Sequence, residues 1–301
     1  MRKDDYEFLK SKLIKISSNA DLPKYYEYVL DKSKKNLTLK VLERGVKSNM
    51  QENEGAFESW AIALKYHLRD IIETVTIDWD IVSDDNLHFN RFIYRVAKFV
   101  QTYDWVRLAD KLCEIPTILV CNCPNGEAAD KSAHKPDSEG WVECDFVAKE
   151  KKHYDYINHQ LPVGLFDNVV KRKTHFATGQ KSAIDIWAIR GNEFFIFELK
   201  KEDNISLGII SELMFYTNVM QDLFSHSILY KEDVKLKKAI KENYRGFCTL
   251  HELYQNGSIR KINAIMLAPK LHSLITDGLI ETINKSARFN YCNIVFSTQK
   301  L

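Results

Sequence analysis

The stretch Ser182–Lys201 reads SAIDIWAIRGNEFFIFELKK and consists of two apolar runs separated by Gly191-Asn192. Both runs are rich in Ile, Phe and Trp, residues that favour β-strands. Gly-Asn is a dipeptide suited to a two-residue turn between paired strands. The stretch therefore predicts an antiparallel hairpin in which Arg190 pairs with Glu193.

Extending this register away from the turn places Asp185 of the first strand opposite Glu198 of the second. Side chains alternate along a strand, so Lys200 shares a face with Glu198. Two carboxylates side by side in an otherwise apolar hairpin are unfavourable unless a cation or a proton lies between them. Because Mg²⁺ prefers oxygen ligands and commonly takes one or two carboxylates, the hairpin predicts a magnesium site.

The composition indicates a globular protein with one large domain or two medium ones. The chain has 301 residues, of which 45% are hydrophobic and 28% charged, which excludes a disordered chain. The formal net charge of +2 gives no global attraction for a polyanion. Nucleic-acid binding would then depend on local patches, for which the candidates are Lys171, Arg172, Lys173, Lys201 and the Lys-rich segment 231–245. For each of these taken alone, a solvated surface is the favoured interpretation.

The sequence carries no sign of a membrane or secretory segment. No run approaches the roughly 18 apolar residues of a membrane span. Residues 1–5, MRKDD, are too polar for a secretory signal. We therefore expect a cytoplasmic protein that does not enter a membrane.

The six cysteines are expected to remain thiols, because the cytosol keeps them reduced. Cys121, Cys123, His134 and Cys144 allow an alternative interpretation as a zinc site. Their spacing fits poorly, because structural zinc sites usually separate paired ligands by two or more residues. Buried thiols are the favoured interpretation.

Residues 1–115 predict a mainly helical lobe. Apolar residues recur at three- and four-residue spacing in four segments. These segments are Tyr6–Ile16, Leu22–Leu30, Phe57–Val75 and Phe89–Leu112. Trp60, Trp79 and Trp105 lie within apolar stripes and are expected in the core of the lobe.

Residues 116–147 predict a junction with short strands and turns, and residues 148–301 a second domain. Thr117–Val120 and Trp141–Val147 are the candidate strands of the junction. The second domain predicts, in order, a helix that begins at Glu150, the hairpin, a helix at 207–224, a strand at 262–267, a helix at 271–283 and a strand at 293–297. Helices interleaved with strands call for crossover connections, hence an α/β three-layer α-β-α sandwich with a mixed central sheet.

The hairpin motif and its flanking residues resemble a known family. Asp185, followed by Glu198-Leu199-Lys200, resembles the signature of the PD-(D/E)xK nuclease superfamily, and the stretch is similar to the catalytic domains of NucS-type endonucleases. Glu150, with Tyr156, Ile157 and Leu161 at helical offsets, resembles the first-helix glutamate of that superfamily. Glu212 and Tyr216 resemble its post-hairpin helix motif. The resemblance covers the chain from about residue 148 onwards.

Two positions depart from the family pattern. Ile184 stands where the name-giving Pro would be, and that residue supplies no ligand. Glu212 stands where Gln is more usual.

The resemblance implies a restriction-endonuclease-like fold and a metal-dependent endonuclease that hydrolyses DNA in repair, restriction or phage defence. It implies that Asp185, Glu198 and the backbone carbonyl of Leu199 hold Mg²⁺ or Mn²⁺, and that Glu150 completes the metal shell. Lys200 would orient or help to deprotonate the attacking water, while Glu212 and Tyr216 would position Lys200 or the backbone. Cleaving both strands of a duplex often requires two active sites, which would favour a homodimer.

The acidic-x-Lys triplet alone is weak evidence for this assignment. Similar triplets occur at Glu150-Lys151-Lys152 and Asp233-Val234-Lys235, but neither ends a hydrophobic strand. Two alternatives stay open at this point: a non-catalytic nucleic-acid-binding module of the same fold, and an RNA-directed nuclease.

Overall fold

A computed structural model describes residues 3–82, 86–177, 182–201, 205–288 and 291–301. The chain divides into two compact units, each made of three segments. The first unit comprises Met1–Ile115, Asn204–Glu212 and Lys270–Arg288, and the second comprises Pro116–Asp203, Leu213–Pro269 and Phe289–Leu301. The predicted junction 116–147 is thus part of the second unit, and two later segments belong to the first.

The first unit contains a four-stranded sheet in the order β1-β2-β3-β4. Its strands are β1 (Tyr26–Asp31), β2 (Asn36–Val41), β3 (Thr74–Trp79) and β4 (Val106–Leu108). The β1–β2 pair is antiparallel, whereas β2–β3 and β3–β4 are parallel. Parallel neighbours need crossover connections, and helices lie between them in the chain.

The helices of the first unit supply most of its aromatic core. They are α1 (Lys3–Ile14), α2 (Glu43–Val46), α3 (Phe57–His67), α4 (Leu87–Thr102) and α9 (Asp277–Ser286). Phe57 of α3 meets Phe92 and Phe99 of α4 edge-on, with ring centroids 5.0 and 5.8 Å apart. As predicted, Trp60, Trp79 and Trp105 are buried, so these rings fill the core.

The prediction of a mainly helical lobe is wrong, because four strands share residues 1–115 with the helices. The second half of the segment 22–30 instead belongs to β1, in which Tyr26, Tyr28 and Leu30 are buried at the two-residue spacing of a strand. The helix predicted over 57–75 ends at His67, and that predicted over 89–112 ends at Thr102. β-Branched Thr and Val residues then open the strands β3 and β4.

The second unit is built on a five-stranded mixed sheet in the order β13-β12-β10-β9-β6. Its strands are β6 (Tyr156–Pro162), β9 (Ala183–Arg190), β10 (Glu193–Leu199), β12 (Lys261–Leu267) and β13 (Asn293–Gln299). The predicted hairpin is β9–β10, which pairs antiparallel. β10 also pairs in parallel with β12, so the hairpin's second strand occupies the centre of the sheet.

A smaller sheet and four helices complete the second unit. The sheet has the order β11-β5-β7-β8. Its strands are β5 (Leu119–Cys121), β7 (Leu165–Asp167), β8 (His175–Ala177) and β11 (Ile228–Tyr230). The helices are α5 (Glu139–Glu150), α6 (Ile209–Phe224), α7 (Val234–Lys241) and α8 (Phe247–Asn256), of which α6 has its first turn in the first unit.

Helices cover both faces of the five-stranded sheet. Phe146 of α5 packs on Phe197, with ring centroids 5.2 Å apart. Phe224 of α6 packs on Phe194, with ring centroids 5.4 Å apart. Phe194 and Phe197 are three residues apart on one strand and so point to opposite faces. The second unit is therefore an α/β arrangement with a mixed sheet between helices.

The predicted order of the first two elements of this domain is reversed. Residues 141–147 belong to helix α5, which Ser138 caps by accepting a bond from the Trp141 N–H at 3.4 Å. The segment after Glu150 is not a helix but the strand β6. Ile157 and Leu161 are four residues apart, a spacing that puts two side chains on one face of either a helix or a strand.

The later elements follow the prediction more closely. The strands predicted at 262–267 and 293–297 are β12 and β13, and the helix predicted at 207–224 is α6. The helix predicted over 271–283 begins only at Asp277, where Thr276 supplies its cap.

Candidate functional site

The hairpin register agrees with the prediction. Paired residues run from Arg190↔Glu193 to Ile186↔Phe197, and Gly191 in the turn has the left-handed φ of 58°. Asp185 and Glu198 are the next residues on their strands. The Leu199 N–H donates a hydrogen bond of 3.0 Å to Oδ2 of Asp185. The Asp185 carboxylate therefore lies against the end of β10, where the motif Glu198-Leu199-Lys200 begins.

Glu198 and Lys200 form a buried ion pair at the end of the central strand. Lys200 Nζ lies 2.6 Å from Glu198 Oε1, and the two side chains are 5% and 1% exposed. Burying two charges is costly, and the attraction between them offsets that cost only with close contact and further hydrogen bonds. The structure thus brings Asp185, Glu198 and Lys200 to one place.

The oxygen groups at this place fit a hard divalent cation. Two carboxylates and the Leu199 carbonyl are the donors that Mg²⁺ and Mn²⁺ prefer. Within the residues that the structure describes, no group of three or more His, Cys, Asp and Glu side chains could hold a metal ion. A cation here would therefore rely on Asp185, Glu198, the carbonyl and water, as Mg²⁺ sites commonly do.

The sequence predicts that Glu150 begins a helix, but in the structure Glu150 is the last residue of α5. Its carboxylate, together with burial as the larger cause, raises the pKa of Tyr154. The Tyr154 ring packs on Phe195 at 5.0 Å, and the Arg190 guanidinium lies 5.9 Å from its centre. These contacts place Tyr154 beside the turn half of the hairpin, and the role of Glu150 as a metal ligand stays a prediction.

A second glutamate of α5, which the sequence analysis missed, reaches the level of Asp185. Glu143 is 3% exposed, and its two carboxylate oxygens lie 3.1 and 2.9 Å from Gln160 Nε2. His159 Nδ1 lies 3.3 Å from the same carboxylate. Gln160 stands between the pairs His159↔Ile186 and Leu161↔Ile184, level with Asp185 on the neighbouring strand. The one available signal was an acidic residue one turn before Phe146 in an amphipathic segment.

Glu212 and Tyr216 lie on α6, as the prediction requires, but in different units of the chain. Glu212 is fully buried, and Gln51 Nε2 donates a short hydrogen bond to its Oε1. Tyr216 is 4% exposed. Their proposed action on Lys200 stays a prediction.

The predicted basic patch is a solvent-exposed turn. Lys171, Arg172 and Lys173 are exposed, and Arg172 begins a short 3-10 helix, Arg172–Thr174. Lys201 follows the site directly and is partly exposed. Their role in binding nucleic acid stays a prediction.

The alternative zinc site gains no support from the cysteine environments. All six cysteines are free thiols. Burial raises the pKa of Cys121 well above its ordinary value and that of Cys123 to about 11. Cys144 Sγ lies 3.9 Å from the Nε2 of His159, a histidine outside that set of four residues.

In the parts of the chain that the structure describes, no helix has the length and apolar character needed to cross a membrane. Comparison with known proteins finds no matching family model, no matching curated protein and no matching solved structure.

Proposed function

We propose that this protein is a metal-dependent nuclease that hydrolyses phosphodiester bonds in DNA, in repair, restriction or phage defence. The observation that carries the proposal is the buried Glu198–Lys200 pair beside the Asp185 carboxylate.

The residue types match the needs of phosphodiester hydrolysis. The reaction builds negative charge on phosphate oxygens, and fixed donors and cations stabilise that charge. Lys200 carries three N–H donors on one ammonium, enough to hold Glu198 and also contact water or phosphate. A bound Mg²⁺ or Mn²⁺ would supply positive charge beside the phosphate and lower the pKa of a bound water.

Each side chain has a distinct role in this proposal. The Leu199 N–H orients the Asp185 carboxylate by binding Oδ2, and Asp185 and Glu198 present oxygen ligands. Glu198 holds the Lys200 ammonium in place. Lys200 orients the attacking water and donates to the phosphate as its charge increases.

The test is cleavage of labelled DNA and RNA, single-stranded, double-stranded and branched, in Mg²⁺, Mn²⁺ or EDTA. We expect cleavage of DNA that requires metal. Asp185→Asn should abolish it, because the amide oxygen can still accept from the Leu199 N–H but the charge is lost. Calorimetry should show weaker Mg²⁺ binding by the same variant.

Three results would decide against the proposal. Binding of DNA without cleavage in any metal would favour the non-catalytic module. Cleavage of RNA alone would favour the RNA-directed nuclease. Full DNA cleavage by Asp185→Asn would remove the proposed site from the reaction.

A further inference from the structure

The second unit contains a cavity of about 540 Å³ beside β6, the edge strand of the five-stranded sheet. This volume is within the range of sites that bind small organic groups. Its walls come from distant parts of the chain, including the β5 end, β6, α7 and the segment before α8. No step of the proposed hydrolysis uses this cavity.

Three cations and one carboxylate line the cavity: Lys231, Lys235, Arg245 and Asp233. Lys231 Nζ donates to the Asn168 carbonyl at 2.8 Å. Among the described residues, none of the three cations lies within salt-bridge distance of a carboxylate. The Asp233 carboxylate already accepts a bond of 2.8 Å from the Leu236 N–H, where it caps α7. The cavity is therefore suited to an anionic group.

Arg245 fixes one wall and is held there by backbone carbonyls. Its Nε donates to the Gly126 carbonyl at 3.0 Å, and its guanidinium also donates to the Gln160 carbonyl. Gln160 and Arg245 both have left-handed backbones, with φ of 56° and 52°. Such conformations cost energy for residues with a side chain and cluster at binding sites.

The rest of the lining suits a flat heteroaromatic ring. Asn122 and Asn125 bring amide groups, which both donate and accept hydrogen bonds, while Pro124 and Leu236 bring apolar surface. His134 also lines the cavity, and its Nε2 is buried with no hydrogen-bond partner among the described residues. Buried polar atoms are normally paired, so this nitrogen is available to a ligand.

The cavity lies next to the candidate cleavage site. Ala183 lines it and precedes Asp185 by two residues on β9, which places both side chains on one face with Cα atoms about 7 Å apart. Gln160 also lines it and is level with Asp185 on β6. A group bound here would be an immediate neighbour of a phosphate at Asp185.

We propose that this cavity binds one unpaired nucleotide of the substrate DNA, with its phosphate toward Lys231 and Lys235 and its base among the amide and apolar groups. The inference rests on the proposed nuclease function, because the cavity adjoins Asp185. It names the substrate as DNA that contains a single-stranded or extrahelical nucleotide.

The test compares two lysines of α7 that differ in one respect. Lys235 lines the cavity, whereas Lys237 does not, and both are exposed. Lys235→Glu and Lys237→Glu change the net charge equally. The probe is a fluorescein-labelled DNA duplex with one unpaired thymidine, and binding is followed by fluorescence anisotropy in EDTA, where no cleavage occurs.

We expect the wild-type protein to bind the bulged duplex at least tenfold more tightly than the fully paired duplex. An abasic residue in place of the thymidine should remove most of that preference. Lys235→Glu should weaken binding of the bulged duplex about tenfold, and Lys237→Glu by less than about threefold, since one phosphate contact is at stake only in the first variant.

Equal binding of bulged and paired duplexes, or equal effects of the two variants, would overturn the inference. A preference for the same bulge in RNA over DNA would overturn it too. Cleavage of the same DNA in Mg²⁺ is scored separately. Loss of the bulge preference with cleavage intact refutes the cavity alone, whereas an intact preference without cleavage refutes the nuclease function and leaves the binding site standing.

Discussion

Each unit of the molecule contains a buried ion pair, and the two pairs differ in what they connect. In the first unit, Arg95 of α4 holds Glu58 of α3, with Nε 2.8 Å from Oε1, and both side chains are 2% exposed. Arg95 also donates to the Gly55 carbonyl at 2.8 Å, and Ser211 Oγ donates to Glu58 Oε2 at 2.8 Å. This pair joins two helices and a later segment of the chain.

In the second unit, Glu198 lies on β10 and Lys200 directly follows that strand, two residues later. Their pair is local in the chain, whereas Glu58 and Arg95 lie on two different helices. Replacing a buried ion pair by apolar residues is often neutral or stabilising. The comparison teaches that two buried ion pairs can differ in their span along the chain. The Glu58–Arg95 pair connects two helices of the fold, and the local Glu198–Lys200 pair is the one for which we propose a catalytic role.

The largest expected effect is on catalysis. Lys200→Ala should reduce metal-dependent DNA cleavage at least about 100-fold, because it removes the group that orients water and stabilises phosphate charge. Lys261→Ala is the control, since Lys261 pairs with Glu193 3.4 Å away near the hairpin turn. Initial rates with labelled DNA measure both. Undiminished cleavage by Lys200→Ala would mean that the Glu198–Lys200 pair, like the Glu58–Arg95 pair, has a purely structural role.

The next largest effect is on stability in the first unit. Arg95→Ala leaves Glu58 buried without its cation and should cost about 3–5 kcal/mol of unfolding free energy. Lys35→Ala removes an exposed pair with Glu73 and should cost less than about 1 kcal/mol. Urea unfolding monitored by circular dichroism measures both. Similar costs for the two variants would contradict the structural role of the Glu58–Arg95 pair.

A smaller effect links metal to stability at the second pair. In Lys200→Ala, the buried Glu198 carboxylate lacks the ammonium of Lys200. We expect bound Mg²⁺ to balance the negative charge of Glu198 in its place. Saturating Mg²⁺ should therefore raise the melting temperature of Lys200→Ala more than that of the wild type, because a ligand that binds only the folded state stabilises it. Arg95→Ala should show no such gain. Identical shifts in all three proteins would argue against a cation at Glu198.

The smallest effect concerns mild acid. Burial lowers the pKa of His67 and His272 in the first unit below the ordinary 6.5. The unfolded chain then binds more protons between the lowered values and 6.5, so this stability is present above pH 6.5 and is lost as the pH falls through the folded values. His67→Gln with His272→Gln should flatten the fall in unfolding free energy between pH 7.5 and 5. An unchanged slope in urea titrations would rule out these rings as its source.

The sequence predicts the hairpin and its charged residues well because their order is local. A two-residue turn fixes the register, and long apolar runs leave few alternatives for β9 and β10. The prediction of a helix after Glu150 is wrong because Ile157 and Leu161 are four residues apart, a spacing that fits one face of either a helix or a strand. Tyr26 and Leu30 are also four residues apart and show the same ambiguity. Tyr28, two residues from each, fits only the strand that β1 forms.

Features that depend on distant residues could not be predicted. Glu143 becomes notable only when Gln160 folds back against it, seventeen residues later. The cavity walls range from Cys121 to Arg245, and no local pattern connects them. Such sites depend on which distant helices and strands pack together. A single sequence does not determine that packing when the order of its helices and strands is itself ambiguous.

The alternation of segments between the two units has a consequence for dissecting the protein. Three segments of each unit alternate along the chain, so the backbone changes unit five times. A fragment that stops at Ile115 would lack Ser211 and the other residues of 204–212 and 270–288, which bond to its own core. Neither unit can therefore be expressed alone by truncating the chain at one position. Transfer of one unit to another protein would require its three segments to be joined in a redesigned chain.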